Sequence, residues 1–463
     1  MMLKLFLVLL VGTTTAAFSI GPRPGSPAFD GTLKRNVQKT NSDTNPFVYV
    51  TDYGAVGDNK TDCTKGFQAA LDFAKSNRKG GVVYAPPGLY VFLGSINVPQ
   101  GVTLQGSYNA VPSHGSGNGL DDGTVLVPTF GRGNTDPASA FISVATNAVV
   151  TGLVVYYKNQ PKDAFPAPYP WSILMVGDNS AVTDVELLNA WNGINATLAG
   201  RHYIARVQGQ PLNIGVFVDQ TYDIGRIEDV HFNPWYSPNP EFMKQQLVNG
   251  RAFVFGRSDW EYVFNTFAFG YAIGYHFIQT PTGEMNGNFL GLGADLMINA
   301  SVRVDASQPA GLLITNGEFT AFSTKQWLPT VPVNQSSQVV ISSTNTGPVK
   351  FVNSAFWGPS SSIARVEGSS VTTFSGCQFV EWGEETQGDR GLPAVAVKQG
   401  KLIITSSVFH QNKLSIALDE SVSQAVIQGN VFSGTKEKTM KIPSSISKNT
   451  NRYAILGNSF TDY

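Results

Sequence analysis

Charge is scarce in this chain. Only 14% of its 463 residues are Asp, Glu, Lys or Arg, and 32 basic residues against 33 acidic ones leave a formal net charge of −1. Nucleic-acid binding draws on clustered positive charge, so nucleic acid is excluded as a partner. Cysteine is almost absent, with only Cys63 and Cys377 present. No CxxC pair exists, which argues against a cysteine metal site. In a stacked chain these two would lie many layers apart, beyond the ~5.5 Å Cα spacing of a disulfide. Both are expected to be buried free thiols.

Long apolar runs are missing except at the start. There Lys4 precedes the apolar stretch Leu5 to Val11 and the small residues Thr13 to Ala17. A charged start, apolar middle and small-residue exit read as a secretory signal peptide over residues 1–17. The run is too short for a bilayer, which needs roughly 20 apolar residues. A secreted, extracellular product without membrane attachment after cleavage is expected. Residues 18–45, rich in Pro, Gly, Ser and Thr, read as a flexible leader. Within it Lys34-Arg35 is either a processing site or a solvated pair. The folded domain then occupies 46–463. Sequons at Asn59, Asn195, Asn299 and Asn334 are candidate glycosylation sites and would then be surface positions.

Glycine (47 residues) and phenylalanine (29 residues) are plentiful. A unit of a small or polar residue, two variable residues and Phe recurs. It occurs as Asp229 to Phe232, Asn286 to Phe289, Asn316 to Phe319, Asn353 to Phe356, Gly376 to Phe379, Ser406 to Phe409, Gly429 to Phe432 and Gly457 to Phe460. Thr266 to Phe269 fits more loosely. The spacing is irregular, as in a coil whose strands keep register while their connections vary. Each Phe is expected in an internal stack, and each polar first residue at a bend where side chains form ladders. The β-rich stretches 216–218, 252–255, 311–315, 339–342 and 402–405 alternate with these units. Residues 109–140 and 158–171 read as loop excursions. Few long helical patterns follow Ser76.

The opening of the folded domain carries a resemblance. Asp52-Tyr53-Gly54-Ala55-Val56-Gly57-Asp58 is followed by Thr61-Asp62 and a helical pattern through Phe67, Leu71, Phe73 and Ala74. Then come Lys79-Gly80-Gly81 and Val82-Val83-Tyr84-Ala85-Pro86-Pro87-Gly88-Leu89-Tyr90. This segment resembles the start of pectate-lyase superfamily proteins, including their polygalacturonase-like, glycosidase-like and tailspike-like members. The resemblance covers roughly Phe47 to Gly106. It implies an all-β fold, a single right-handed parallel β-helix, with an N-terminal helix capping the first coil. It does not carry the activity: the polygalacturonase Gly-His-Gly motif is absent, and the aspartate cluster with downstream arginines of metal-dependent lyases is not evident.

Chemistry is therefore sought in the residues themselves. A trough for an extended polymer needs a carboxylate pair for hydrolysis, ~5 Å apart for retention or roughly 6.5–9.5 Å for inversion. Elimination instead needs a base and a cation beside a uronate. The densest polar cluster holds Asp219, Asp223, Arg226, Glu228 and His231, with Asp259 on the following coil; these are the candidate catalytic residues. One strand spacing, about 4.8 Å, would bring Asp219 or Asp223 to the Arg257–Asp259 stretch. Trp235, Tyr236, Arg257 and Trp260 are candidate substrate-binding residues, because sugar rings stack on aromatic faces. His276, Glu284, Asp295 and Glu318 lie on further coils. The plainer alternatives are turn caps for the aspartates and a solvated pair for Arg226 and Glu228.

The leading expectation is a secreted enzyme cleaving an extracellular polysaccharide, a glycoside hydrolase with paired carboxylates. The alternatives are a lyase on a uronate polymer and a non-catalytic glycan-binding wall or matrix protein. No metal or other cofactor is expected, except a divalent cation such as calcium if the chemistry is elimination.

Overall fold

The computed structural model describes residues 46–322, 336–383, 391–448 and 451–461. The expected signal peptide and leader, Lys34-Arg35 and the sequon at Asn334 lie outside the described residues.

One coil shows why the chain winds as it does. The strand Ile214–Asp219 buries Val216 and Val218. A short turn leads to the strand Arg226–Phe232, which buries Ile227, Val230 and Phe232. A longer connection returns the chain to Arg251–Phe255, which pairs parallel with the strand it left, Val216 beside Phe253 and Val218 beside Phe255. Parallel neighbours need such crossovers, and repeating them makes a right-handed parallel β-helix. Among the described residues, thirteen strands from Ile96–Val98 to Met440–Lys441 pair in coil order into one sheet. Twenty-four more form a second sheet.

That second sheet is creased lengthwise. The long strand Gly287–Met297 pairs before the crease with Leu312–Thr315 and beyond it with Glu318–Ala321. On successive coils the crease residue takes a left-handed conformation, as at Asp229 (φ 52°), Asn265 (φ 49°), Gly291 (φ 68°), Asn316 (φ 54°), Asn353 (φ 50°) and Gly376 (φ 65°). Gly, Asn and Asp tolerate this region best, hence the polar or glycine first position of the repeat unit. The fold thus offers three outer faces: the thirteen-stranded sheet and the two arms of the creased sheet.

Inside, phenylalanines stack along the axis. Ring centroids are 5.5 Å apart for Phe356–Phe379, 4.3 Å for Phe379–Phe409 and 4.7 Å for Phe409–Phe432. Two units are framed differently from the expectation. In the coil of Asn286 to Phe289 the crease falls at Gly291, and in that of Thr266 to Phe269 it falls at Asn265, with Ala268 in the core. The polar ladder also sits one residue later than expected. Ser407 N–H donates to Asn430 Oδ1 at 2.9 Å, and Asn430 N–H to Asn458 Oδ1 at 3.0 Å. Left-handed crease geometry turns this second residue inward. Cys377 occupies the same ladder, its N–H bonded to Ser407 Oγ at 3.1 Å. Both cysteines are free and buried.

The helix Thr64–Arg78 buries Phe67, Ala70, Leu71 and Ala74 against the first strands. Asp62 starts it by accepting from Thr64 N–H at 3.0 Å. A second helix, Pro240–Asn249, departs from the expectation. Asn239 caps it by accepting from Glu241 N–H at 2.9 Å, with Pro240 at the first position, a start signal present in the sequence. The 109–140 excursion also contains a coil strand, Thr124–Pro128, paired with Gly88–Phe92. Its segment 112–117 folds over the creased sheet, where Pro112 O accepts from Gln208 and His114 meets the buried Glu186. Among the described residues no helix is long and apolar enough to cross a membrane.

Candidate functional site

The proposed polar cluster does not form one site. Asp219 ends its strand almost buried and holds a turn, accepting from Arg257 N–H at 2.7 Å and Thr280 Oγ1 at 2.9 Å. It thus reaches the Arg257 stretch as expected, but there its Oδ1 serves as a turn cap, bonded to a backbone N–H and to threonine hydroxyls. Asp223 does not reach that stretch; it is exposed and pairs with Arg201, which also holds Asp178. Arg226 and Glu228 share the outer face of the first arm, and Glu228 accepts from the Tyr203 hydroxyl. His231 lies across the crease on the second arm, between Trp235 (4.7 Å) and Phe267 (4.9 Å). Burial pushes its imidazole below the ordinary range. Tyr236 is a core residue packed on Phe242, not a binding aromatic. Asp259 pairs with Arg257 at 2.9 Å and accepts from Gln308 at 2.6 Å. One turn and one crease explain the dispersal: between Asp219 and His231 the chain leaves the thirteen-stranded sheet, runs along the first arm and crosses at Asp229 to the second.

Of the sequons, Asn59 is exposed. Asn195 contradicts its expected surface position: it is nearly buried on the thirteen-stranded sheet and accepts from its own Thr197 hydroxyl at 2.6 Å. Asn299 is half-buried.

A different constellation does assemble, on the outer face of the thirteen-stranded sheet. Strand register places His276, Arg303, Val340 and Arg365 in one outward column. Continuing backbone bonds place Ile278, Asp305, Ser342 and Glu367 in the column beside it, with Asp305 N–H on Phe277 O at 2.8 Å and Glu367 N–H on Ile341 O at 2.8 Å. Two Arg-Val-acid units, Arg303-Val304-Asp305 and Arg365-Val366-Glu367, therefore face the same way on strands two spacings apart. They line a cleft of about 750 Å³ with Gln279, Ser342 and Thr344, within the size range of ligand sites.

The electrostatics of the cleft follow from its contacts. Asp305 Oδ2 meets His276 Nε2 at 2.8 Å, Asp305 Oδ1 meets Arg303 Nε at 3.0 Å, and the Ser342 hydroxyl donates to the same carboxylate. Burial opposes ionisation of Asp305, but the His276 and Ser342 hydrogen bonds and the Arg303 charge hold it at about 2. Burial dominates at His276 and pushes it below the ordinary imidazole range, against the pull of Asp305. Neutral at pH 7, the ring donates through Nε2 and orients the carboxylate. Arg365 Nε is buried with no hydrogen-bond partner among the described residues. Glu367 pairs with the exposed Lys398 at 2.6 Å. The cleft thus offers two cations and two carboxylates in alternation. Of these residues only His276 stood among the sequence candidates. The signal for the rest is the repeated Arg-Val-acid tripeptide.

Comparisons with known proteins agree with this architecture. Residues 47–234 match the family model described as rhamnogalacturonase A/epimerase, pectate lyase-like. The pectate-lyase resemblance of the opening segment therefore stands, over less than half of the chain and ending before the cleft. No curated protein sequence matches. Among solved structures, the N-terminal fragment of bacteriophage Phi29 gene product 12 is similar at 12% identity with a TM-score of 0.57, covering 83% of this chain and 66% of that one. DFA-IIIase from Arthrobacter chlorophenolicus A6 without its lid is similar at 11% identity and TM-score 0.51, covering 89% and 99%. A tailspike protein mutant of E. coli bacteriophage HK620, in complex with a pentasaccharide, is similar at 12% identity and TM-score 0.50, covering 90% and 79%. These likenesses are of fold. Besides Gly-His-Gly, polygalacturonases carry Asp-Asp and Asn-Thr-Asp motifs; this chain holds those letters at Asp121-Asp122 and Asn134-Thr135-Asp136, in the 109–140 excursion, where Asp136 caps a turn by accepting from Ala138 N–H. Neither lines the cleft.

Proposed function

We propose that this protein is a secreted glycoside hydrolase acting on an acidic polysaccharide laid across the thirteen-stranded sheet. The observation that carries the reading is the pair of Arg-Val-acid units in one cleft. Strands spaced ~4.8 Å apart put Asp305 and Glu367 about 10 Å apart at the backbone, room for the ~6.5–9.5 Å carboxylate separation of inversion. Asp305, kept ionised by its partners, is assigned as the base that activates water. Glu367, released from Lys398 when the sugar chain enters and then protonated, is assigned as the proton donor to the leaving oxygen. Arg303 and Arg365 would take the sugar carboxylates, guanidinium and carboxylate forming charge-assisted, often bidentate pairs. His276 is assigned as a positioning residue for Asp305. Support also comes from the family description, which names a rhamnogalacturonase, and from the pentasaccharide bound by the HK620 tailspike.

A second reading rests on the same two arginines. With cations available for a uronate carboxylate, the cleft also suits proton abstraction and elimination. The products separate the two: hydrolysis releases reducing ends alone, whereas elimination adds the ultraviolet absorbance of an unsaturated uronate. Polygalacturonate, rhamnogalacturonan and alginate form the substrate panel. Asp305→Asn and Glu367→Gln are each expected to lower turnover by roughly 10²-fold or more, the usual contribution of a general acid or base, with a cooperative melting transition retained in both. Wild-type protein that leaves every acidic polysaccharide intact, with both readouts silent, would sink the enzymatic reading in favour of a glycan-binding protein.

A further inference from the structure

A second feature lies away from that cleft, on the outer face of the first arm. Register aligns Arg226, Tyr262, Asn288, Leu313 and Lys350 in one outward column. At ~4.8 Å per strand the column runs about 19 Å from the first to the last. Part of it is a shallow pocket of about 320 Å³ lined by Trp260, Tyr262, Asn288, Leu313, Pro348 and Lys350. No carboxylate lines it. Arg226 and Lys350, at the two ends, are exposed and form no ion pair among the described residues. The nearest acid along the Arg226 strand, Glu228, is engaged by the Tyr203 hydroxyl.

Trp260 is the unusual member. It is 60% exposed and holds a left-handed backbone, φ 62°, a costly state for a bulky residue. The strain is sustained by its surroundings. Asn286, nearly buried, accepts from Trp260 N–H at 3.1 Å and donates to Gln308 at 2.6 Å, and Gln308 donates to Asp259 at 2.6 Å. Ser258 Oγ donates to the buried Glu261 at 2.6 Å. The turn thus fixes a large aromatic face in water, at the edge of a pocket. An indole face, amide groups and unpaired cations at strand spacing match the apolar faces, hydroxyls and acidic substituents of successive sugar residues.

We propose that this column is a second binding strip for an acidic polysaccharide, separate from the cleft, with one sugar ring stacked on Trp260 and acidic groups directed to Arg226 and Lys350. The strip rests on the proposed function only for the class of polymer. It would hold the polymer on one face while the cleft works on another.

The test uses full-length protein and immobilised polygalacturonate. Trp260→Ala, and separately Lys350→Gln with Arg226→Gln, are each expected to weaken retention about fivefold, equivalent to roughly 1 kcal/mol. Arg365→Gln in the cleft is expected to weaken it independently, so that combined losses multiply, as for sites without shared partners. Melting curves of each variant exclude unfolding. Unchanged retention in the Trp260 and Lys350/Arg226 variants overturns the strip. So does a combined loss no larger than that of Arg365→Gln alone. Loss in the strip variants with none in Arg365→Gln keeps the strip and removes the cleft reading.

Discussion

Asp305 shows how a single residue sets a measurable pH dependence. Its folded-state value of about 2 lies below the ordinary aspartate value. The stabilisation is therefore complete above about pH 4 and is lost as pH falls towards about 2. Melting temperatures across that window should fall less steeply for Asp305→Asn than for wild type. His202 works in the opposite sense. It is fully buried and bonded through Nε2 to the fully buried Glu261 at 3.0 Å. Burial opposes its charge, but Glu261 and the Ala199 carbonyl raise its value above the ordinary one. Its contribution is present below about pH 6.5 and is lost as pH rises through the higher folded value. Glu261→Gln should cost roughly 3–5 kcal/mol in urea unfolding at about pH 6 and abolish that alkaline decline. At this scale the sequence misled where polar density was highest. Asp219, Asp223 and Asp229 cluster because a turn and a crease need short polar side chains there. The cleft arginines are isolated in sequence because each is one outward position in an apolar strand.

At the scale of elements, the repeated phenylalanine is the clearest case of a pattern read correctly from sequence. Phe409 lies between Phe379 and Phe432 with near-parallel rings, at 3° and 9°. Phe409→Ala should cost roughly 3–5 kcal/mol, the range for removing a buried aromatic, read from the urea midpoint. Phe460→Ala should cost clearly less, since that ring is half-buried and, among the described residues, stacks on Phe432 alone. The repeat unit predicts the bend, but the ladder forms at its second residue rather than its first. Only a left-handed φ at the first position turns the second one inward, and φ is not visible in composition. The helix Pro240–Asn249 is bracketed by Asn239-Pro240 and Gly250, but its apolar residues are few and pack in two small clusters apart from the main core, so no long helical pattern marks it.

At the scale of the whole molecule, stability passes from coil to coil. Among the described residues, the strands Tyr453–Leu456 and Ser459–Thr461 pair on one side only, with Val422–Gln428 and Val431–Ser433, and much of their surface is open. Gly287–Met297 is paired on both sides and largely buried. Hydrogen exchange should therefore be fastest at 453–461 and slowest around 287–297, with the stacked coils between graded accordingly. Uniform protection across both segments would contradict nearest-neighbour stacking.

The sequence by itself determined the parallel coil: inward phenylalanines, glycine or amide side chains at the crease, and an opening segment of pectate-lyase type. Those features are local, and each coil repeats them. Only the tertiary structure decided which outward residues meet. Connections between coils differ in length, so neighbours on a face are separated irregularly along the chain. Backbone pairing alone aligns His276 with Arg303 and Arg365, or Arg226 with Tyr262 and Lys350. A stacked fold writes its core in every repeat and its binding faces across them.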